Sequence, residues 1–160
     1  MKTNRTPLFV LLAASGFLSC AANATILTWD ADGTAGLPNG GSDDWNTSTA
    51  LWDNAGTMTI WNNLTPYSAI FAGTGGTVSL TTGISAGNIT FNTADYLIQN
   101  NTLTLSSSTI TTNQNATINS ILAGNTGLIK AGTGNLTLGG ANTYTGATTV
   151  KAGTMEYAGA

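Results

Sequence analysis

Residues 128–155 read LIKAGTGNLTLGGANTYTGATTVKAGTM, and within them Ile129-Lys130-Ala131-Gly132-Thr133 returns 21 residues later as Val150-Lys151-Ala152-Gly153-Thr154. A period of that length sits at the short end of the roughly 20 to 50 residues that mark solenoids. A weaker copy, Ile84-Ser85-Ala86-Gly87-Asn88, stands 45 residues before the Ile129 copy, close to two further periods; Ile121-Leu122-Ala123-Gly124 matches off register and reads as a chance recurrence. The apolar pairs Val78/Leu80, Ile89/Phe91, Leu103/Leu105 and Leu136/Leu138 alternate with polar residues, as half-buried strands do. Gly and Asn punctuate nearly every gap. Strands of about three to five residues, joined by turns of about two to five and returning to phase every 21 or so, describe the coils of a parallel β-helix.

In such a coil each short strand pairs with its equivalents above and below. Inward side chains stack into a narrow apolar column, and outward Thr and Asn align in ladders. A buried Leu or Val contributes roughly 1.5–3 kcal/mol, so three or four inward residues per coil supply several kcal/mol against the ordering entropy. A single coil cannot stand alone, but residues 76–157 make about four, above the three or so repeats a stack needs. The two lysines of the pentapeptide are expected one above the other at a strand end on the outer surface. Lys guards against edge pairing there, and a merely solvated side chain is the alternative.

Composition supports strands and excludes much else. Charged residues make up 7% of the chain, against roughly 25% in an ordinary soluble domain. Thr, Asn, Ser and 20 Gly fill the space, a mixture that suits extended strands and tight turns. No stretch after residue 24 carries helical apolar spacing. Before that point, Lys2 and Arg5 give a positive start, Leu8 to Leu18 an apolar run, and Ala22-Asn23-Ala24 a cleavage site before Thr25. This is the pattern of an export signal over residues 1–24, and its apolar run is too short to span a bilayer. Cys20 after Leu18-Ser19 is the alternative processing point, for a lipidated chain, although Phe17 and Leu18 fit that signal poorly.

Removing the signal narrows the chemistry. The mature chain has no cysteine, and the sequence has no histidine, so thiol nucleophiles, histidine bases and ordinary zinc sites fall away. Two cations, Lys130 and Lys151, stand against seven acids (Asp30, Asp32, Asp43, Asp44, Asp53, Asp95 and Glu156), a net charge near −5. Without a basic patch, nucleic acid and anionic membrane surfaces are not expected partners. No transmembrane segment is expected in the mature chain. A polysaccharide lyase or hydrolase needs converging carboxylates or a strong base with a cation. The coil region offers only Asp95 before Glu156. No catalytic, cofactor-binding or metal-ligating residue is assigned.

The opening stretch resembles the autotransporter-associated β-strand repeat, also called the passenger-associated transport repeat, of bacterial surface proteins. The resemblance lies in Lys130, Gly132, Gly134, Leu136, Leu138, Gly140, Asn142, Tyr144, Gly146, Thr149, Val150 and Gly153. The segments LTWDADG, DDWN, ALWDN, TIWNN and AIFAG are similar to the lead-in of long proteins with such repeats. The resemblance implies a right-handed parallel β-helix passenger, exported through the inner membrane and exposed at or released from the cell surface of a Gram-negative-type envelope. It also implies an outer-membrane translocator or further passenger repeats as partners. No barrel of amphipathic strands follows here, and no capping repeat closes the stack before Ala160. The sequence therefore reads as an N-terminal piece of a longer protein or a truncated frame.

The expected organisation is all-β: a signal peptide at 1–24, a Trp-rich N-terminal cap or lead-in at 25–75, and β-helix coils at 76–160 containing the repeat at 128–155. Trp29, Trp45, Trp52 and Trp61 each stand beside Asp or Asn. They are expected to seal the open end of the apolar column. The alternative is a sugar-binding platform, with a glycan as partner. Asp30-Ala31-Asp32-Gly33 matches the start of a calcium loop but lacks the later ligands, so a polar surface loop is expected; Asp43-Asp44 would join it only if the fold brings them together. The expected function is that of an exported, non-catalytic structural scaffold or adhesin-like passenger whose repeat aids outer-membrane secretion. The alternative is a carbohydrate-binding surface module.

Overall fold

Alternation of apolar and polar residues decides the backbone, and all regular structure among the described residues is β. The computed structural model describes residues 24–65 and 67–159, so the expected export signal and Cys20 lie outside the described residues, apart from Ala24. The chain winds through β1 (Ile26–Trp29) and β2 (Asp43–Trp45), then a small hairpin of β3 (Trp52–Asp53) and β4 (Met58–Thr59). Three coils of three strands follow: β5 (Ser68–Phe71), β6 (Thr77–Leu80) and β7 (Ile84–Ala86); β8 (Ile89–Phe91), β9 (Tyr96–Gln99) and β10 (Thr102–Leu105); β11 (Thr109–Thr112), β12 (Ala116–Ile118) and β13 (Ile121–Ala123). The last strands are β14 (Leu128–Ala131), β15 (Asn135–Leu138), β16 (Thr148–Val150) and β17 (Thr154–Tyr157).

Three sheets result, each taking one strand per coil. They run β16-β14-β11-β8-β5-β1-β3-β4, then β17-β15-β12-β9-β6-β2, then β13-β10-β7. Among the described residues every pairing between coils is parallel, and only β1–β3 and β3–β4 are antiparallel. The expected parallel β-solenoid is therefore the fold. Its ladders run back into the lead-in, because β1 pairs β5 and β2 pairs β6.

Inward positions stack in columns. In the first sheet Leu27, Ala69, Ile89 and Ile110 lie one above another, and Phe71 stacks on Phe91 with ring centroids 5.1 Å apart and planes 16° apart. In the second sheet Val78, Ile98, Ile118 and Leu138 form one column and Tyr96, Ala116, Leu136 and Met155 another. Ile84, Leu103 and Leu122 form the third sheet's column. The four apolar pairs read from the sequence are all buried.

The pentapeptide copies divide differently from the sequence reading. The Ile84 copy lies in the third sheet, in one column with Leu103 and Leu122, so it shares a sheet with the supposedly accidental Ile121 copy and not with the Ile129 copy. Short apolar words recur here because each sheet imposes the same inward-outward alternation. The Ile129 and Val150 copies do share a sheet, but Lys130 pairs with Val150 and not with Lys151. The strand period is 20 where the word period is 21, which puts the two lysines on opposite faces.

Turn geometry reinforces the stack at specific glycines. Gly132 has φ +78° and a Cβ there would meet Thr112 O, a backbone atom of the coil above. Only glycine relieves both constraints. In the hairpin, Ala55 (φ +51°) and Gly56 (φ +90°) form a two-residue turn of the mirror-image type that suits strand twist. Both carboxylate oxygens of Asp53 accept from Gly56 N, at 3.1 and 3.0 Å.

Candidate functional site

The chemistry-bearing residues named from sequence fall at three places. The four tryptophans gather at one end of the column. Trp45 lies 4.8 Å from both Trp52 and Trp61 and 5.7 Å from Phe71, and Trp29 lies 5.1 Å from Trp52, all measured between ring centroids. Tilted and edge-to-face arrangements of this kind are the favoured ones for aromatic pairs. All four rings are at most 1% exposed. Trp29 Nε1 donates to Gly41 O at 2.9 Å and Trp61 Nε1 to Ser85 O at 3.0 Å. Trp45 Nε1 has no oxygen or nitrogen partner. The rings are thus buried together against the column and present no face on which a sugar could stack.

Beside this cap an open cleft of about 430 Å³ is lined by Thr47, Ile60, Trp61, Asn62, Asn63 and Tyr67. Asn63 is already committed to the next coil: its Nδ2 donates to Gly83 O and its Oδ1 accepts from Ser85 N, both at 2.9 Å. The cleft carries no charged side chain. Sequence reading missed it, because its wall is assembled from turn residues that no periodic pattern marks.

The acidic residues separate. Asp30 and Asp32 come together, whereas Asp43 and Asp44 stay exposed on β2 and do not join them. No group of three or more acidic, histidine or cysteine side chains converges among the described residues. The Asp32 carboxylate accepts from Thr34 N and Asn39 Nδ2, both at 2.7 Å. Those donors, the Asn39 amide foremost, hold its pKa below the ordinary carboxylate range. Asp30 is wholly buried, which the expected surface loop did not foresee, and burial pushes its pKa up. The Tyr96 hydroxyl donates to Ala72 O at 2.6 Å, and burial pushes its pKa up to about 12.

Lys130 corrects the expectation of two surface guards. It is fully buried at an inward position beneath Ile110, and its Nζ donates to Ala131 O (2.9 Å), Gly132 O (2.8 Å) and Ala152 O (2.9 Å). All three ammonium donors are satisfied by carbonyls, the last from the following coil, so this lysine fastens two successive turns together. Burial lowers its pKa from the ordinary lysine value. Lys151 is exposed. The signal was present in the sequence: Leu128 and Lys130 share one face of a strand, so an inward Leu128 implies an inward lysine.

The remaining positions of the repeat stretch are explained by the coil. Asn142 Oδ1 accepts from Leu122 N at 2.9 Å, and Thr143 N donates to Leu122 O at 2.9 Å, which continues the third sheet without a regular strand. Tyr144 packs on the core, and its hydroxyl meets those of Thr148 (2.8 Å) and Tyr157 (2.6 Å).

Comparison with known proteins finds a relative and a family model. Over 136 residues, 80% of the chain, the sequence is 48% identical to the adhesin BmaC autotransporter of Brucella suis biovar 1 (strain 1330), and the chain spans 4% of the length of that relative. No solved structure matches. The family model of the passenger-associated transport repeat matches residues 128–156, from β14 to the penultimate residue of β17. The segment that matches the passenger-associated transport repeat is thus built as a coil with a buried lysine, an asparagine bonded to the third side and a tyrosine packed on the core.

Proposed function

We propose that this chain is an exported, non-catalytic passenger segment, displayed at the cell surface as a scaffold or adhesin-like module. The observation that carries the reading is the 48% identity to an autotransporter adhesin over 80% of the chain, joined to the transport repeat at 128–156. The stacked geometry supports a mechanism. Each coil finds its backbone partners on the coil before it, so a chain emerging from a pore can add coils one at a time, and each added coil opposes slippage back. An outer-membrane translocator and further passenger repeats are the partners of this reading. The outward face of the stack is polar and nearly uncharged, and its acids do not converge, which fits display better than catalysis.

The chain is to be tested by joining it to an outer-membrane translocator in a Gram-negative host and treating intact cells with protease. Cleavage of residues 25–160 on intact cells is expected. Protection until the outer membrane is opened would contradict surface display. A glycan-binding role would have to use the cleft at Tyr67 and Asn62, since the indole faces are closed. Glycan-array binding lost on Tyr67→Ala with an unchanged melting temperature would support that second reading.

A further inference from the structure

We propose that Asp30 and Asp32 share one proton in the folded protein, making residues 30–41 a latch over the tryptophan-capped end that is tightest in mild acid. Asp30 is completely buried, and its Oδ1 accepts only a long 3.3 Å bond from Asn39 N. Its Oδ2 has no partner at all. A buried carboxylate oxygen without a donor is costly, whereas a protonated carboxyl supplies the missing donor itself. Asn39 ties the two carboxyls together, its backbone N–H donating to Asp30 Oδ1 and its side-chain amide to Asp32 Oδ2 at 2.7 Å, which makes the Asp32 carboxylate the neighbouring acceptor.

The two environments push the pair apart. Burial, then the charge of Asp32, favours the protonated form of Asp30, and the amide donors of Asn39 and Thr34 favour the ionised form of Asp32. The other titratable group facing Asp30 is Tyr96 on β9, which stays neutral. Both described lysines follow β13, in the last coils of the stack, and supply no counter-charge here. One proton between two carboxyls is therefore the arrangement that satisfies the orphaned oxygen.

Its consequence reaches the cap through the backbone. Gly41 N donates to Thr74 O and Thr74 N to Asn39 O, both at 2.7 Å, while Gly41 O holds the Trp29 indole. Loosening of residues 30–41 uncovers Trp29. The stability contributed by Asp30, whose folded pKa is raised, is full below its unfolded pKa and is lost as pH rises through the folded one. That of Asp32, whose folded pKa is lowered, is present above its unfolded pKa and is lost as pH falls through the folded one. Both contributions are largest between those losses, in mild acid.

The test is a carboxyl-carbon NMR titration of the whole chain labelled at aspartate, with acrylamide quenching of tryptophan emission alongside. Asp30 is expected to titrate above the ordinary carboxylate range and Asp32 below it. Asp32→Asn should move the Asp30 midpoint down, since it removes the neighbouring charge. In Asp30→Asn the rise in quenching as pH climbs out of mild acid should disappear. Asp30 ionising within or below the ordinary range would overturn the proposal. So would a millimolar calcium titration that shifts both carboxyl signals and raises the melting temperature, because the shared charge would then be a cation.

Discussion

Trp45→Ala removes the centre of the cap, and its cost can be worked from the geometry. The side chain is wholly buried and touches Trp52, Trp61 and Phe71 at centroid distances of 4.8, 4.8 and 5.7 Å. A buried aromatic ring of this size covers roughly 150–250 Å², which at about 25 cal/mol/Å² corresponds to about 4–6 kcal/mol. Truncations of buried Trp to Ala typically cost about 3–5 kcal/mol, so a loss of about 4 kcal/mol is expected. In a domain of this length each kcal/mol moves the melting temperature by about 3–5 °C, giving a fall of about 12–20 °C. Trp45→Phe keeps a ring in the cluster and should cost about half as much. Because a solenoid can unravel from one end, calorimetry should be paired with amide exchange. Amides of β1, β3 and β5 should lose protection before those of β12 and β15. A shift under about 3 °C with unchanged exchange in β1 would refute the cap, since the area argument leaves no room for so small a loss.

Lys130→Met keeps the side-chain volume but leaves three carbonyls without their donor; a loss of about 1–3 kcal/mol is expected, offset in part by relief of the buried charge. Exchange should accelerate over residues 151–157, where the Ala152 carbonyl is released, and an unaltered exchange map would argue against fastening by the ammonium. Gly132→Ala must hold a left-handed backbone and push its Cβ against Thr112 O, so it should cost at least about 1–3 kcal/mol in urea unfolding, more than Gly36→Ala, whose Cβ meets nothing. Asn142→Ala should leave Leu122 N without its acceptor and cost about 1–2 kcal/mol, while Asn142→Asp, which keeps an oxygen there, should cost less.

Much of the fold was legible because a solenoid repeats its constraints. Val78/Leu80 and Leu136/Leu138 show the inward alternation directly, and the paired Gly-rich turns show the period. The common burial of the four tryptophans was legible too, since large rings without a place in the repeat need a shared site. What was not legible is register. Lys130 and Lys151 occupy the same word, yet the strand ladder offsets them by one residue, and one residue reverses the face of a strand. The Ile84 copy misled for the same reason: five residues fit any of the three sheets, and only the turn lengths between them say which. Asp30 was misplaced as a surface residue because its burial depends on Asn39 and Gly40 returning across the chain, which composition does not reveal.

In-register parallel stacking of successive coils is tested most directly by engineered disulfides, since Cys20 is the chain's one cysteine and can be replaced by serine. Thr117 and Thr137 are Cα partners on neighbouring parallel strands β12 and β15, at outward-facing positions, where the strand spacing of about 4.8 Å falls within the reach of a disulfide. The Thr117→Cys/Thr137→Cys chain should form an intramolecular bond under mild oxidation, read as a reducible mass difference in the peptide map. The Thr117→Cys/Leu136→Cys chain, one residue out of register and facing inward, should not. Equal bonding in both chains, or bonding only in the second, would contradict the parallel coil.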